Sequence, residues 1–175
     1  MTKQIRKSLP FIATVVAVGG YFFWIAQLKD FHGHPEKAKA QRVSCVNNLK
    51  QIGLAYRIWS GDNNDLYPCN VSTNDGGAME FCEPDPNGFD SNTFRQFQVL
   101  RFELTTPRIL VCPQDHSKIP TANFDELLPE NITYRVRVGT NLTAGAHEIL
   151  AVCPIDGNML YCDGRVVDAD GEVKD

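Results

Sequence analysis

The chain has 175 residues, enough for one domain of modest size plus an N-terminal extension. Its formal net charge is −4 at neutral pH, which argues against a nucleic-acid partner because nucleic-acid-binding surfaces are basic. Charged residues make up 22% of the chain and hydrophobic residues 43%, a balance typical of a folded protein and not of a disordered one.

The first predicted element is a membrane span over residues 9–28, a stretch without any charged side chain. At about 1.5 Å per helical residue, this stretch reaches roughly the 30 Å thickness of a bilayer core. Lys3, Arg6 and Lys7 precede it, which favours a cytoplasmic N-terminus over residues 1–8. A cleaved signal peptide is the alternative, since Ala17 and Gly19 are small enough for a cleavage site. We predict an uncleaved anchor in the inner (cytoplasmic) membrane, with the C-terminal domain periplasmic or extracellular.

Residues 29–61 predict an amphipathic helix that continues the chain beyond the span. Apolar residues recur there at spacings of three and four, which places them along one face of a helix. These residues are Cys45, Leu49, Ile52, Tyr56 and Trp59. Gly61 then ends the helix before a turn-forming sequence. We call this face the packing stripe and expect the rest of the chain to cover it.

The middle of the chain, up to residue 138, predicts loops and short elements. Residues 70–92 have the composition of a loop, and residues 93–104 form a short segment that is either strand or helical turn. Residues 108–112 (RILVC) predict a short buried strand, and residues 124–128 a single helical turn. Residues 132–138 alternate in polarity and predict another strand.

The C-terminal part predicts an antiparallel meander. Residues 148–153, 158–162 and 165–168 each predict a strand. Asp156-Gly157 predicts the first connecting turn, and Asp163-Gly164 a two-residue primed turn. Short strands that face one amphipathic helix indicate the α+β class, with residues 62–175 as the exported domain.

Six cysteines follow the predicted span, an even number that fits disulfides in an oxidising compartment. Three links are plausible from position, and their members are Cys45 with Cys112, Cys69 with Cys82, and Cys153 with Cys162. Buried free thiols are the alternative for some of the six. The chain contains no C-x-x-C motif, and no spacing of four ligands predicts a zinc site.

Two clusters of side-chain oxygens make calcium a candidate cofactor, because calcium binds six to eight oxygen ligands. Asp62 and Asn64 lie in the turn after the helix, and Asp168 and Asp170 lie near the C-terminus. Turn chemistry alone explains both clusters equally well. No other cofactor is predicted.

Two separated stretches, residues 44–68 (SCVNNLKQIGLAYRIWSGDNNDLYP) and 158–167 (NMLYCDGRVV), resemble type IV pilin-like proteins of planctomycetes and verrucomicrobia. Residues 109–115 (ILVCPQD) and 132–136 (ITYRV) are similar to segments between them. The resemblance implies a pilin-like fold, in which one long helix is half membrane anchor and half spine for an antiparallel sheet. It also implies a filament or pseudopilus subunit of a type IV pilus or type II secretion system, which is not an enzyme.

The chain departs from the family pattern at both ends. In the family, a glycine precedes a phenylalanine-led apolar run with glutamate at its fifth position, whereas residues 8–11 read SLPF and residues 9–28 contain no acid. The C-terminal motif has histidine ten residues before its Asp-Gly aspartate, and Cys153 stands at that distance from Asp163.

Two functional hypotheses of different classes follow. The first is a membrane-anchored structural subunit that acts by assembly with copies of itself or with other pilin-like subunits. The second is a tethered, exported binding module for a metal ion or small ligand on the same scaffold. A tethered enzyme is a weaker third, because no motif pairs a nucleophile with a base. Fold alone does not decide among these classes.

Overall fold

The structure is a computed structural model that describes residues 34–140 and 142–174. The predicted N-terminus over residues 1–8, the predicted span over residues 9–28 and the start of the segment 29–61 lie outside the described residues. Among the residues that are described, none of the helices has both the length and the apolar character needed to cross a bilayer.

Two α-helices organise the described chain. Helix α1 (His34–Gly61) has 28 residues, and α2 (Thr93–Val99) has 7. Short 3₁₀ helices connect the remaining segments, at Pro68–Asn70, Thr73–Asp75, Met79–Phe81, Leu100–Phe102, Pro107–Leu110, Phe124–Glu126 and Pro129–Asn131. Residues 41–175 form one compact unit, and the first turns of α1 belong to a separate N-terminal unit.

The C-terminal part forms a five-stranded antiparallel sheet, so the predicted α+β class is confirmed. The strands are β1 (Arg135–Val136), β2 (Ile149–Val152), β3 (Met159–Tyr161), β4 (Val166–Val167) and β5 (Val173–Lys174). Their order in the sheet is their order in the chain, which makes the sheet a simple meander. Strands β1 to β4 are each shorter than predicted, β5 was not predicted, and the β2–β3 register shifts between Ile149 and Ala151.

The turn between β3 and β4 differs from the predicted two-residue primed turn. Gly164 has φ of 92°, which is the left-handed conformation. Among the described non-glycine residues, only Asn64 and Asp65, both outside this turn, have positive φ. The amide of Gly164 donates to the carbonyl of Tyr161, and the amide of Tyr161 donates to the carbonyl of Arg165. This is a three-residue loop with glycine in the left-handed position, which closes a hairpin as well as a primed turn does.

The predicted strand at residues 108–112 is wrong, because most of this segment is the 3₁₀ helix Pro107–Leu110. The Thr106 side chain accepts a hydrogen bond from the amide of Arg108, and Pro107 has the backbone angle of a first helical residue. Ile109 and Leu110 are buried in this helix. An apolar run of this length indicates burial equally well in a strand or a helical turn.

The packing stripe of α1 is buried under the sheet and α2. Its five residues have little or no exposure, with Cys45, Leu49, Ile52 and Tyr56 at 0% and Trp59 at 8%. A Cβ atom added to Gly53 would lie only 2.7 Å from Cδ1 of Leu160 on β3, so this glycine lets the helix and sheet approach closely. Burial of each large apolar side chain contributes about 1.5–3 kcal/mol to stability.

A second apolar row lies on the opposite side of α1. Val43, Leu54 and Ile58 are 54%, 58% and 51% exposed. At about 100° per residue, they fall within a sector of roughly 60° that faces away from the packing stripe. Helix α1 therefore carries apolar side chains on two faces, of which the domain covers one.

A buried polar chain joins α1 to α2. The Tyr56 hydroxyl donates to Oε1 of Gln96 at 3.0 Å, and Nε2 of Gln96 donates to Oδ2 of Asp90 at 2.6 Å. The Thr93 hydroxyl also donates to the carbonyl of Asp90, at 2.7 Å. Each of these buried groups has a hydrogen-bond partner. The hydrogen bonds therefore hold α2 against α1 without an unpaired polar atom at these contacts.

Candidate functional site

The structure brings three cysteines and one aspartate together at the end of β2. These residues are Cys45, Cys112, Cys153 and Asp156, and their sulfur and carboxylate oxygen atoms all lie within 4.8 Å of one another. We call them the thiol cluster. The three cysteines are at most 1% exposed, and Asp156 is half-buried. Across residues 34–140 and 142–174, no other group of three or more His, Cys, Asp or Glu side chains is arranged closely enough to hold a metal ion.

Three separate parts of the fold position the thiols. Cys45 lies on the packing stripe of α1, one helical turn before Leu49. Cys112 follows the 3₁₀ helix Pro107–Leu110, and its amide donates to the Thr133 hydroxyl at 3.1 Å. Cys153 follows β2, where its amide donates to the carbonyl of Asn158 at 2.8 Å and closes the β2–β3 hairpin.

Asp156 lies in the turn of that hairpin and contacts two of the thiols. The Cys112 thiol donates to Oδ2 of Asp156 at 3.3 Å. The amide of Asp156 donates to the sulfur of Cys153 at 3.4 Å. The turn thus contributes both a carboxylate and a backbone donor to the thiol cluster.

Two further polar groups surround the sulfur of Cys45. The Tyr134 hydroxyl donates to it at 3.6 Å, and Nδ2 of Asn48 donates to the same hydroxyl at 3.3 Å. Asn158 is 4% exposed, and its Nδ2 atom is buried without a hydrogen-bond partner. The Asn158 amide nevertheless lies near enough to Cys45 to lower the pKa of that thiol.

The thiols of the cluster have unequal acidities. The neighbouring thiols of Cys112 and Cys45 hold the pKa of Cys153 far below its ordinary value. The pKa of Cys112 is raised, first by its hydrogen bond to Cys153 and then by its hydrogen bond to Cys45 and by burial. The neighbouring Cys112 thiol lowers the pKa of Cys45, but the interaction with Cys153 and burial outweigh this effect and raise it. Of the three thiols, Cys153 is thus the one whose ionisation its neighbours favour.

The predicted link between Cys45 and Cys112 joins residues that the structure does bring together, although all six cysteines are free thiols. The structure adds Cys153 as a third member. Cys153 and Cys162 lie at opposite ends of the β2–β3 hairpin, since the amide of Cys162 donates to the carbonyl of Glu148. Strand geometry separates these ends by roughly 13 Å, too far for the predicted Cys153–Cys162 link.

Cys69 and Cys82 lie in neighbouring segments. Cys69 belongs to the 3₁₀ helix Pro68–Asn70, which packs against the 3₁₀ helix Met79–Phe81 just before Cys82. Burial raises the pKa of both thiols, and the Cys82 thiol donates to the carbonyl of Ala78 at 3.2 Å. Their disulfide stays a prediction.

The calcium candidates lie in two exposed turns. Asp62 and Asn64 are exposed in the turn that follows α1. At the other turn, Oδ1 of Asp168 accepts the amides of Asp170 and Glu172 at 3.0 and 2.9 Å. Nζ of Lys174 lies 2.8 Å from Oδ2 of Asp168, and this contact lowers the pKa of the aspartate. The Asp168 carboxylate thus organises the β4–β5 turn, and calcium binding at either turn stays a prediction.

Comparison with protein-family models, with curated proteins and with solved structures finds no match.

Sequence reasoning found the cysteines of the thiol cluster but missed Asp156 and the convergence of Cys153 on the other two. One signal was available, because Cys112 and Cys153 each begin a C-P-x-D sequence. The two aspartates of these sequences have different roles. Asp156 faces the thiols, whereas Asp115 accepts hydrogen bonds from the hydroxyls of Ser117 and Thr133 at 2.6 and 2.7 Å.

Proposed function

We propose that the protein is a membrane-anchored, pilin-like or pseudopilin-like structural subunit that acts by assembly and is not an enzyme. Residues 9–28 anchor it in the membrane, and α1 serves as the spine of the exported domain. The subunit belongs to a pilus or a type II secretion apparatus. The sequence resemblance at both ends of the chain supports this proposal, as does the packing of one long helix against an antiparallel meander.

The observation that carries the proposal is the exposed apolar row of α1. Val43, Leu54 and Ile58 extend over about 22 Å of helix, at 1.5 Å per residue, and each is more than half exposed. Isolated surface apolar residues are normal, and Val43 is separated from the other two by Asn47 and Gln51 on the same face, but Leu54 and Ile58 are adjacent, one helical turn apart, and form an exposed apolar pair. In a filament, the corresponding surface of a neighbouring copy of the same chain covers this pair.

The test is the size of the full chain extracted in mild detergent, measured by light scattering and by chemical cross-linking. We expect oligomers from the wild-type chain and monomers from the double variant Leu54→Lys, Ile58→Lys, because charged ends cannot be buried in an apolar contact. Ile119 is 75% exposed and lies outside α1, so Ile119→Lys is the matched control and should assemble like the wild type. A monomeric wild-type chain, or equal loss in both variants, would overturn the proposal.

A tethered binding module is the second candidate, and the thiol cluster is the observation that favours it. A buried set of three thiols and a carboxylate is the donor set of a metal site and is not needed for assembly. The detergent-extraction experiment distinguishes the assembly function from the binding function. In a binding module the exposed row of α1 has no role, so the Lys variants would behave as the wild-type chain does.

A further inference from the structure

The thiol cluster has more members than one disulfide can use. A disulfide joins two of Cys45, Cys112 and Cys153 and leaves the third thiol buried beside the Asp156 carboxylate. A metal ion in tetrahedral coordination uses all four groups at once. The number and type of the donors therefore fit a metal ion better than a disulfide.

The distances in the thiol cluster also fit such an ion. Bonds of about 2.3 Å from zinc to sulfur place tetrahedral sulfur atoms about 3.8 Å apart. The four donor atoms lie within 4.8 Å of one another, so each pair of sulfur atoms needs to close by no more than about 1 Å. Thiolates select zinc over calcium or magnesium, which prefer oxygen ligands.

The donors around the sulfurs are the supporting contacts that a thiolate site needs. The Asp156 amide already donates to Cys153, and the Tyr134 hydroxyl donates to Cys45. The Nδ2 atom of the buried Asn158 lies near Cys45 without a partner. A buried donor without a partner destabilises the fold, and a metal-bound thiolate at Cys45 would give it an acceptor.

We propose that Cys45, Cys112, Cys153 and Asp156 bind one zinc ion in tetrahedral coordination. On binding, sulfur–zinc bonds replace the sulfur–hydrogen bonds, and the thiol protons leave to solvent. The ion carries two positive charges against four anionic ligands, and the nearby N–H and O–H donors offset part of the remaining negative charge. The site fastens α1 to the end of β2 and to the segment after Pro107–Leu110. It does not depend on the proposed assembly function.

The test uses the full chain, purified in detergent under reducing conditions and treated with one equivalent of Zn²⁺ or Co²⁺. We expect one zinc per chain by elemental analysis after gel filtration. With Co²⁺ we expect intense thiolate-to-metal charge-transfer absorption and the visible bands of tetrahedral cobalt. Asp156→Asn should weaken zinc binding by about 10-fold or more and change the cobalt spectrum. Asp156 is half-buried, so this variant keeps the test valid even where cysteine variants fail to fold.

Cysteine variants give the matched comparison. Cys112→Ser and Cys153→Ser should lose stoichiometric zinc, whereas Cys69→Ser and Cys162→Ser change equally buried thiols outside the cluster and should retain it. The Lys variants of the α1 row should also bind zinc normally, which separates this proposal from the assembly proposal.

Two results would overturn the zinc site. One is a folded, fully reduced wild-type chain that binds less than a tenth of an equivalent of zinc. The other is a cobalt spectrum that Asp156→Asn and Cys153→Ser both leave unchanged.

Discussion

The close approach of Gly53 on α1 to Leu160 on β3 gives the sharpest stability prediction. A Cβ atom at Gly53 would lie 2.7 Å from Cδ1 and 3.4 Å from Cδ2 of Leu160, whereas optimal carbon contacts are about 3.5–4.0 Å. Leu160 is 0% exposed and belongs to the hydrophobic core, so its side chain can shift only against other buried residues. Overpacking of this kind costs about 1–3 kcal/mol, and the gain in helix propensity from glycine to alanine is about 1 kcal/mol. We therefore expect Gly53→Ala to lower the free energy of unfolding by up to about 2 kcal/mol.

Removing the Leu160 side chain should reverse the sign of the effect of Gly53→Ala on the free energy of unfolding. In a Leu160→Ala background, which itself costs about 2–5 kcal/mol, the new Cβ atom has room. Gly53→Ala should then stabilise the chain by about 1 kcal/mol through helix propensity alone. The coupling energy between Gly53 and Leu160 should therefore be about 1–3 kcal/mol.

The assay is urea unfolding of the full chain at constant detergent concentration, followed by far-UV circular dichroism and tryptophan fluorescence. Gly61→Ala is the matched control, because a Cβ atom at that position would meet nothing within 4 Å. It should change stability by less than about 0.5 kcal/mol. The packing argument fails if Gly53→Ala stabilises the wild-type chain as much as it stabilises the Leu160→Ala chain.

Two further predictions concern polar contacts. Tyr56→Phe should lower the free energy of unfolding by about 1–3 kcal/mol, because the buried Oε1 of Gln96 loses its donor. A loss below about 0.5 kcal/mol in urea unfolding would contradict this prediction. The second prediction concerns Glu80, because hydrogen bonds from the Ser72 hydroxyl and the Thr73 amide lower its pKa from 4.5 to about 2. Since a depressed carboxyl pKa stabilises the fold above the unfolded pKa, the stability difference between wild type and Glu80→Gln should be constant above about pH 5. It should disappear as pH falls to about 2, and a difference independent of pH would refute the assignment.

The main elements of the fold could be predicted because their signals are local. The packing stripe repeats at helical spacing, and Gly61 marks the residue at which α1 ends. Glycine at Gly157 and Gly164 marks the turns of the meander, although the details of the second turn differ from the prediction. These signals depend on neighbouring residues, so one sequence is enough to detect them.

The segment Pro107–Leu110 was predicted wrongly because burial was taken as the sign of a strand. Ile109 and Leu110 are as apolar as strand residues, but Pro107 and the capping side chain of Thr106 favour a helical turn. In a segment this short, the capping residues carry more information about backbone conformation than the apolar run does.

The thiol cluster could be predicted only in part because its members are distant in sequence. Cys45 and Cys112 were paired from their positions on apolar elements, whereas Cys153 was assigned to its neighbour Cys162. That assignment took the two residues as neighbours on successive strands, but the backbone pairing puts them at opposite ends of the hairpin. Asp156 carries no signal in isolation, since an aspartate before glycine is also the normal sequence of a turn.

The contact between Gly53 and Leu160 has a consequence for how the chain reaches its native state. Helix α1 is synthesised before the strands that cover its packing stripe, and a long stretch of chain separates them. The packing stripe therefore stays uncovered until the strands of the meander have been synthesised. During that interval a chaperone that binds apolar helices can bind it. A chain truncated before β3 would never cover the packing stripe. Such truncated forms should therefore be degraded or aggregate, even though they contain all of α1.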